Sequence, residues 1–161
     1  MKNRFWLLVA LVAGLTVPTF ALAHQFSIGD KVDFTVRDEN GKSVKLSKYK
    51  GKVIALVFYA SWWAGCNEEA PRIEKYVWQG YKKKGVQVLG LAIQEQTPKA
   101  KIQLFRKRHH ITYPLLSDED QSVATMFGVK SIPTIIILDK LGRYTEQDPE
   151  SFKTTFQKLL K

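Results

Sequence analysis

The chain has 161 residues, of which 45% are hydrophobic and 25% charged, and it carries a formal net charge of +10 at pH 7. This length and composition predict one globular domain and argue against a multidomain chain. The positive charge favours acidic partners. Cys66 is the one cysteine of the sequence, so an internal disulfide, a dithiol relay and a Cys₄ or Cys₂His₂ zinc site are all excluded.

The first 23 residues have the order of parts found in a secretory signal peptide. A basic start with Lys2 and Arg4 precedes an apolar segment over 5–17 and the small residues of 21–23. We therefore predict cleavage at the end of this pattern and export to an oxidising, periplasmic compartment. The alternative is an uncleaved apolar segment that anchors the chain, since its length nearly suffices to span a bilayer.

Beyond position 30, predicted strands alternate with predicted helices. Strands are predicted over 32–36, after the Asn40-Gly41 turn, and over Val53–Tyr59, 86–93, 135–138 and 143–145. Helices are predicted from Gly65 to Lys82–Lys84 with a kink at Pro71, from Pro98 onward, and over 119–126 and 149–160. The uninterrupted apolar strands indicate a sheet that is covered on both faces, and hence an α/β architecture.

Residues 58–71 read FYASWWAGCNEEAP. They resemble the active-site segment FWASWCxxCxxExP of TlpA/ResA-type proteins, which are secreted or membrane-tethered thioredoxin-like thiol–disulfide oxidoreductases of the redoxin (AhpC/TSA-like) superfamily. Further matches, among them Ile28-Gly29-Asp30, Phe127-Gly128-Val129 and Ile132-Pro133-Thr134, extend the resemblance over about 28–144. It implies a thioredoxin fold over 24–161: a central mixed sheet flanked by helices, with an N-terminal β-hairpin and a strand–helix insertion at about 91–113.

The sequence departs from this family at the residue that matters most for its chemistry. The family's first, nucleophilic cysteine falls on Trp63, and only the second, resolving cysteine is kept, as Cys66. Thiol–disulfide exchange needs a thiolate to attack and a second thiol to resolve the mixed disulfide, and an indole can do neither. The dithiol cycle is therefore predicted to be disabled, and the sequence leaves open whether the chain is an enzyme.

The resemblance implies two catalytic candidates, Cys66 and Glu69, the latter matching a glutamate that handles protons. Each has a structural alternative: a packed, inert thiol and a carboxylate stabilised by the start of a helix. Pro133 matches a cis-proline whose preceding backbone pairs with an extended peptide. The resemblance implies Trp62, Ile132, Pro133 and Thr134 as substrate-binding residues. Trp63 departs from the family and is a further candidate, either as an exposed binding anchor or as a side chain that packs over the groove.

No cofactor and no metal site are predicted, and His109 and His110 are interpreted as solvated residues at the end of a basic helix. The expected partner is a polypeptide or thiol-containing protein with an acidic surface. The basic stretch over 99–108 favours acidic proteins or an anionic membrane surface nearby. This stretch lacks the interleaved aromatic residues of a nucleic-acid surface, so no nucleic-acid partner is predicted. The oligomeric state stays open.

Three functions remain after this reasoning. The first is single-thiol redox chemistry through Cys66 in a chain of the oxidoreductase lineage. The second is a non-catalytic peptide-binding or chaperone-like module that uses the cis-proline groove. The third, a one-cysteine peroxidase, is disfavoured because Trp63 and Tyr59 occupy the positions of the hydroxyl residue and the proline of a peroxidatic site.

Overall fold

The computed structural model describes residues 25–95, 98–148 and 150–161. The predicted signal segment over 1–23 lies outside the described residues. Within the described ranges, no helix combines the length and the apolar composition that crossing a membrane requires.

Seven strands form one mixed sheet. They are β1 (Thr35–Asp38), β2 (Ser43–Lys45), β3 (Val53–Tyr59), β4 (Val86–Ala92), β5 (Leu115–Ser117), β6 (Thr134–Leu138) and β7 (Tyr144–Gln147). Their order is β2-β1-β5-β4-β3-β6-β7. β3, β4 and β5 run parallel, whereas β6 is antiparallel to β3 and β1 is antiparallel to both β2 and β5. The predicted α/β class, with a central mixed sheet and an N-terminal β-hairpin, is confirmed.

The helices alternate with the strands. They are α1 (Ala64–Arg72), α2 (Gln79–Tyr81), α3 (Pro98–His109), α4 (Ser122–Met126) and α5 (Phe152–Leu159). A π-helical segment, Ile73–Trp78, joins α1 to α2, and a 3₁₀ turn over Lys82–Lys84 ends at Gly85, whose φ of 101° is left-handed. The predicted strand–helix insertion corresponds to α3 and β5, with β5 just beyond its expected boundary at residue 113.

Three predicted helices differ in detail. At Pro71, which has no N–H to donate, the expected kink takes the form of a change from α to π hydrogen bonding two residues later. α4 begins three residues after its predicted start, because Gln121 is left-handed at φ 56°. α5 begins at Phe152, because the Ser151 hydroxyl accepts a hydrogen bond from the Thr154 amide. Pro149, its predicted start, lies outside the described residues.

Both faces of β3 are buried, as its unbroken apolar sequence predicts. Val53, Ala55, Val57 and Tyr59 face a core shared with α1, α3 and α5. Ile54, Leu56 and Phe58 face a second core formed with α4 and the N-terminal segment. Because β3 and β4 are parallel, the residues that follow both strands meet at one end of the sheet.

Candidate functional site

The segment between β3 and α1 is fixed from two sides. The backbone N–H and the hydroxyl of Ser61 both donate to the carboxylate of Glu95, which follows β4, the hydroxyl at 3.0 Å. The indole N–H of Trp62 donates to the Gln94 carbonyl at 3.2 Å. The two segments that follow β3 and β4 therefore hold each other in place.

Asn67, in the first turns of α1, also holds the segment between β3 and α1 in place. Its Nδ2 donates to the carbonyls of Ser61 at 2.9 Å and Trp63 at 2.8 Å. Its Oδ1 lies 2.8 Å from Nε2 of His109 at the end of α3. The interpretation of His109 as a solvated residue is therefore wrong: the ring is half-buried and hydrogen-bonded, and burial lowers its pKa, with the charges of Arg108 and His110 acting in the same direction.

The two adjacent tryptophans are both exposed. Trp62 is 57% and Trp63 47% exposed, and their rings meet edge to face with centroids 6.0 Å apart. They border an open cavity of about 320 Å³, whose other lining residues include Gln94, Gln121, Lys130 and Ile132. Trp63 thus forms part of a surface instead of filling the core.

The segment opposite the tryptophans contains the predicted cis-proline. The Ile132–Pro133 bond is cis, and Pro133 lies close to Gly65, since a Cβ added to Gly65 would be 3.7 Å from Pro133 Cδ. Thr134 is buried, pairs with Phe58 in the sheet, and donates its hydroxyl to the Ser131 carbonyl at 2.8 Å. Of the predicted substrate-binding residues, Trp62, Trp63 and Ile132 line the open cavity, whereas the Thr134 side chain is turned inward.

Cys66 lies in the first turn of α1 and is only 2% exposed. Burial raises the pKa of this thiol; a hydrogen bond with the Ala60 backbone lowers it, and the charge of Glu95 raises it again. A raised pKa disfavours the nucleophilic thiolate. The structure therefore agrees with the packed-thiol alternative more closely than with an exposed nucleophile.

Glu69 and Cys66 do come together, as the resemblance implies. Both line a small cavity of about 10 Å³, together with Pro133. Glu69 also lies 3.8 Å from Arg72 Nε, one turn along the helix. The hydroxyl of Tyr59, in the same cavity, has no hydrogen-bond partner among the described residues.

Sequence reasoning missed Glu95 and Asn67. Glu95 could have been found from its position just after a buried strand parallel to β3, because such positions converge at one end of a sheet. Asn67 carries no comparable signal in the sequence. The described ranges contain no group of His, Cys, Asp and Glu side chains arranged to hold a metal ion.

Comparisons with known proteins agree on the family. The AhpC/TSA family profile matches residues 28–146. Two proteins named thiol–disulfide oxidoreductase ResA are similar to the chain. The one from Geobacillus kaustophilus is 33% identical over 145 residues, which are 88% of this chain and 82% of the relative. The one from Geobacillus thermodenitrificans is 32% identical over 146 residues, 89% and 82% of the two chains.

A solved structure supports the same assignment. The crystal structure of a Chlorobium tepidum protein, assigned as a thiol:disulfide interchange protein DsbE, superimposes with a TM-score of 0.75 and 27% identity. It covers 85% of this chain and 100% of that chain. Together with the family profile and the relatives, this match shows that the chain belongs to the AhpC/TSA family and, within it, to the thioredoxin-like thiol–disulfide oxidoreductases of ResA type.

Proposed function

We propose that this chain is an exported member of the thiol–disulfide oxidoreductase lineage that binds extended polypeptides and does not run a dithiol cycle. One contrast carries the proposal. The aromatic surface beside the cis-proline is open to solvent, whereas Cys66 is buried with a raised pKa. The surface that would hold a polypeptide is thus accessible, and the atom that would attack one is not.

The loss of the dithiol cycle follows from the residue at the start of α1. Trp63, which matches the family's nucleophilic cysteine, is the N-cap residue of this helix. The sequence has a single cysteine, so a mixed disulfide formed at Cys66 would have no second thiol in the chain to resolve it. Catalytic turnover by exchange would therefore require a thiol from outside the chain.

The open cavity has the chemistry expected of a polypeptide site. Trp62 and Trp63 supply large apolar surfaces, and tryptophan is enriched among residues that dominate binding energies. Ile132 supplies backbone next to the cis-proline, and an extended peptide can pair with exposed backbone by strand addition. Gln94 and Lys130 add polar side chains at the border of the cavity.

The partner, by this proposal, is an acidic or thiol-containing polypeptide of the periplasm, and the binding domain covers 24–161. The net charge of +10 supports an acidic partner. The export pattern of the first 23 residues supports the compartment, with cleavage as the primary proposal and a retained anchor as its alternative.

The test uses a polypeptide that is unfolded and has no free thiol, namely reduced and carboxymethylated α-lactalbumin. We expect the wild-type chain to bind it, and Trp63→Ala to weaken binding by about tenfold or more, as for a central aromatic contact. Tyr76→Ala removes a different aromatic residue, 61% exposed and outside the cavity, and should leave binding unchanged. Absence of wild-type binding, or equal affinity of the Trp63→Ala variant, would overturn the proposal.

Single-thiol chemistry is a second candidate, because Cys66 sits in the first turn of α1 and shares its small cavity with Pro133. It predicts that the folded chain forms a mixed disulfide with oxidised glutathione, visible by intact mass and absent in Cys66→Ser. Modification that begins only when the chain unfolds would exclude this function. The same measurement with hydrogen peroxide tests one-cysteine peroxidase activity.

A further inference from the structure

The end of the sheet farthest from the two tryptophans is rich in lysine. The seven residues of β3 separate the two ends by roughly 20 Å. Lys50 and Lys52 immediately precede β3. The Val53 amide donates to the Gly85 carbonyl at 3.0 Å, which brings Lys82–Lys84 beside them.

Two further segments add lysines to this end. The Gly51 amide donates to the Lys140 carbonyl at 3.1 Å, just after β6 ends. Lys31 forms a β-bridge with Arg143, in the chain segment that leads into β7. These lysines come from four separate parts of the sequence, and only the fold assembles them. We call them the basic pole: Lys31, Lys50, Lys52, Lys82, Lys83, Lys84 and Lys140.

An apolar slot opens within the basic pole. Its volume is about 190 Å³, and its lining combines four lysines with apolar side chains: Lys31, Lys50, Lys52 and Lys140 with Val32, Leu46, Tyr49, Ile54 and Leu141. Leu141 is 57% exposed. Among the described lining residues, Asp33 is the only carboxylate, and Lys45 pairs with it at 3.2 Å. The slot therefore joins an apolar lining to a strong excess of positive charge.

We propose that the basic pole docks on an anionic phospholipid surface. Lysines near such a surface are attracted to its phosphates, and each contributes to binding until salt screens it. The slot and the exposed Leu141 give apolar contact with the region below the headgroups, as in interfacial proteins that combine charge with apolar side chains. A peptide of acidic residues alone would complement the charge but not the apolar lining, whereas a phospholipid surface supplies partners for both.

This orientation has a consequence for the candidate site. With the basic pole on the membrane, Trp62 and Trp63 lie at the opposite end of β3 and face away from the lipid. The open cavity then remains accessible to polypeptides. Docking does not depend on peptide binding, since the two surfaces share no residue.

The test is flotation of the full chain with two kinds of vesicle, phosphatidylcholine alone and phosphatidylcholine mixed with phosphatidylglycerol. If the apolar segment within the first 23 residues is retained, it would bind both kinds of vesicle. The difference in binding between the two kinds therefore measures the electrostatic contribution. We expect binding to the anionic vesicles to decrease as salt is raised. Lys31→Glu/Lys50→Glu/Lys52→Glu should reduce the anionic-specific binding by about tenfold or more.

A control variant with the same change in net charge shows whether the position of the replaced lysines matters. Lys99→Glu/Lys101→Glu/Lys107→Glu changes the charge equally on α3, in the other basic stretch of the chain. This stretch lines no part of the apolar slot, so the change should reduce binding far less. Circular dichroism checks the fold of each variant. If the first triple unfolds, Lys50→Gln/Lys52→Gln is compared with Lys99→Gln/Lys101→Gln instead. Equal losses in the two triples, or equal wild-type binding to both vesicles, would overturn the proposal. So would binding of polyglutamate at the basic pole without any binding to anionic vesicles.

Discussion

The indole of Trp63 lies against Gly65, in the first turn of the helix that Trp63 itself caps. A Cβ built on Gly65 would come within 3.2 Å of Trp63 Nε1 and 3.7 Å of Pro133 Cδ. The glycine therefore leaves the space that the indole occupies. This one position connects the exposed tryptophan with the cis-proline, the two features on which the proposed polypeptide site depends.

Gly65→Ala is expected to separate helix stability from binding. Alanine favours a helix over glycine by up to about 1 kcal/mol, so the free energy of unfolding in urea should stay constant or rise slightly. The added methyl displaces the Trp63 indole by a few tenths of an ångström, which the half-exposed side chain can accommodate. Affinity for carboxymethylated α-lactalbumin should therefore fall several-fold.

Gly80→Ala provides the matched control for this effect. Gly80 is also helical, but nothing lies within 4 Å of the Cβ position there. Its replacement should raise stability to a similar extent and leave polypeptide affinity unchanged. Equal effects of the two alanines on affinity would show that the contact between Trp63 and Gly65 does not shape the binding surface.

Trp63→Cys should restore a thiol pair at the start of α1. The new cysteine would stand three residues before Cys66, the spacing of the family's redox motif, and its position at a helix N-terminus favours the thiolate. We expect an internal disulfide, detected as the loss of both free thiols in the oxidised chain, and reduction of insulin with dithiothreitol as the electron source. Trp63→Ser should show neither. A folded Trp63→Cys chain that fails to reduce insulin would show that further catalytic features have been lost.

The sequence predicts the fold well, because the physical cause of each central element is local. Val53–Tyr59 and β4 are unbroken apolar runs, and Gly85 marks the end of the preceding helical segment. Helix starts are less predictable where the cap comes from tertiary structure. α4 starts late because Gln121 is left-handed, and the Asp118 carboxylate, just after β5, then accepts hydrogen bonds from the amides of residues 123 and 124.

The candidate site is predictable where it follows a motif and not where it depends on contacts between distant segments. The cis-proline and the proximity of Glu69 to Cys66 follow from the resemblance. The hydrogen bonds from Ser61 to Glu95 and the approach of His109 to Asn67 join residues more than 30 positions apart. No periodicity or spacing in one sequence contains that information.

Asp118→Ala should destabilise the chain by about 2 kcal/mol, the cost of leaving buried donors without a partner. The carboxylate is buried and accepts from the Val123 amide at 3.1 Å and the Ala124 amide at 2.8 Å, so its removal leaves two buried donors unpaired. Urea unfolding measures the loss. Asp120→Ala removes an exposed acceptor of the Ser122 amide and should cost less, because water can replace it. A smaller loss for Asp118→Ala than for Asp120→Ala would contradict the assigned cap.

Glu95→Gln should make the thiol of Cys66 more reactive. Burial is the main cause that raises the pKa of this thiol, and the negative charge of Glu95 raises it further. The neutral amide removes the second cause, so the midpoint of the pH profile for alkylation should move to lower pH. Intact mass after iodoacetamide treatment at a series of pH values measures this shift.

Glu69→Gln is the control, and it tests the family expectation against the structure. Glu69 shares the small cavity with Cys66 but is not among the groups that shift its pKa, so the profile should move less. The folded chain holds the thiol proton of Cys66 more tightly than the unfolded chain does. The thiol therefore contributes fully to the free energy of unfolding below its pKa in the unfolded chain, and this contribution is lost as the pH rises through its pKa in the folded chain. Glu95→Gln should reduce this alkaline loss in urea unfolding. A larger effect of Glu69→Gln on both measurements would show that Glu69, as the family motif indicates, controls the thiol proton of Cys66, and that Glu95 does not.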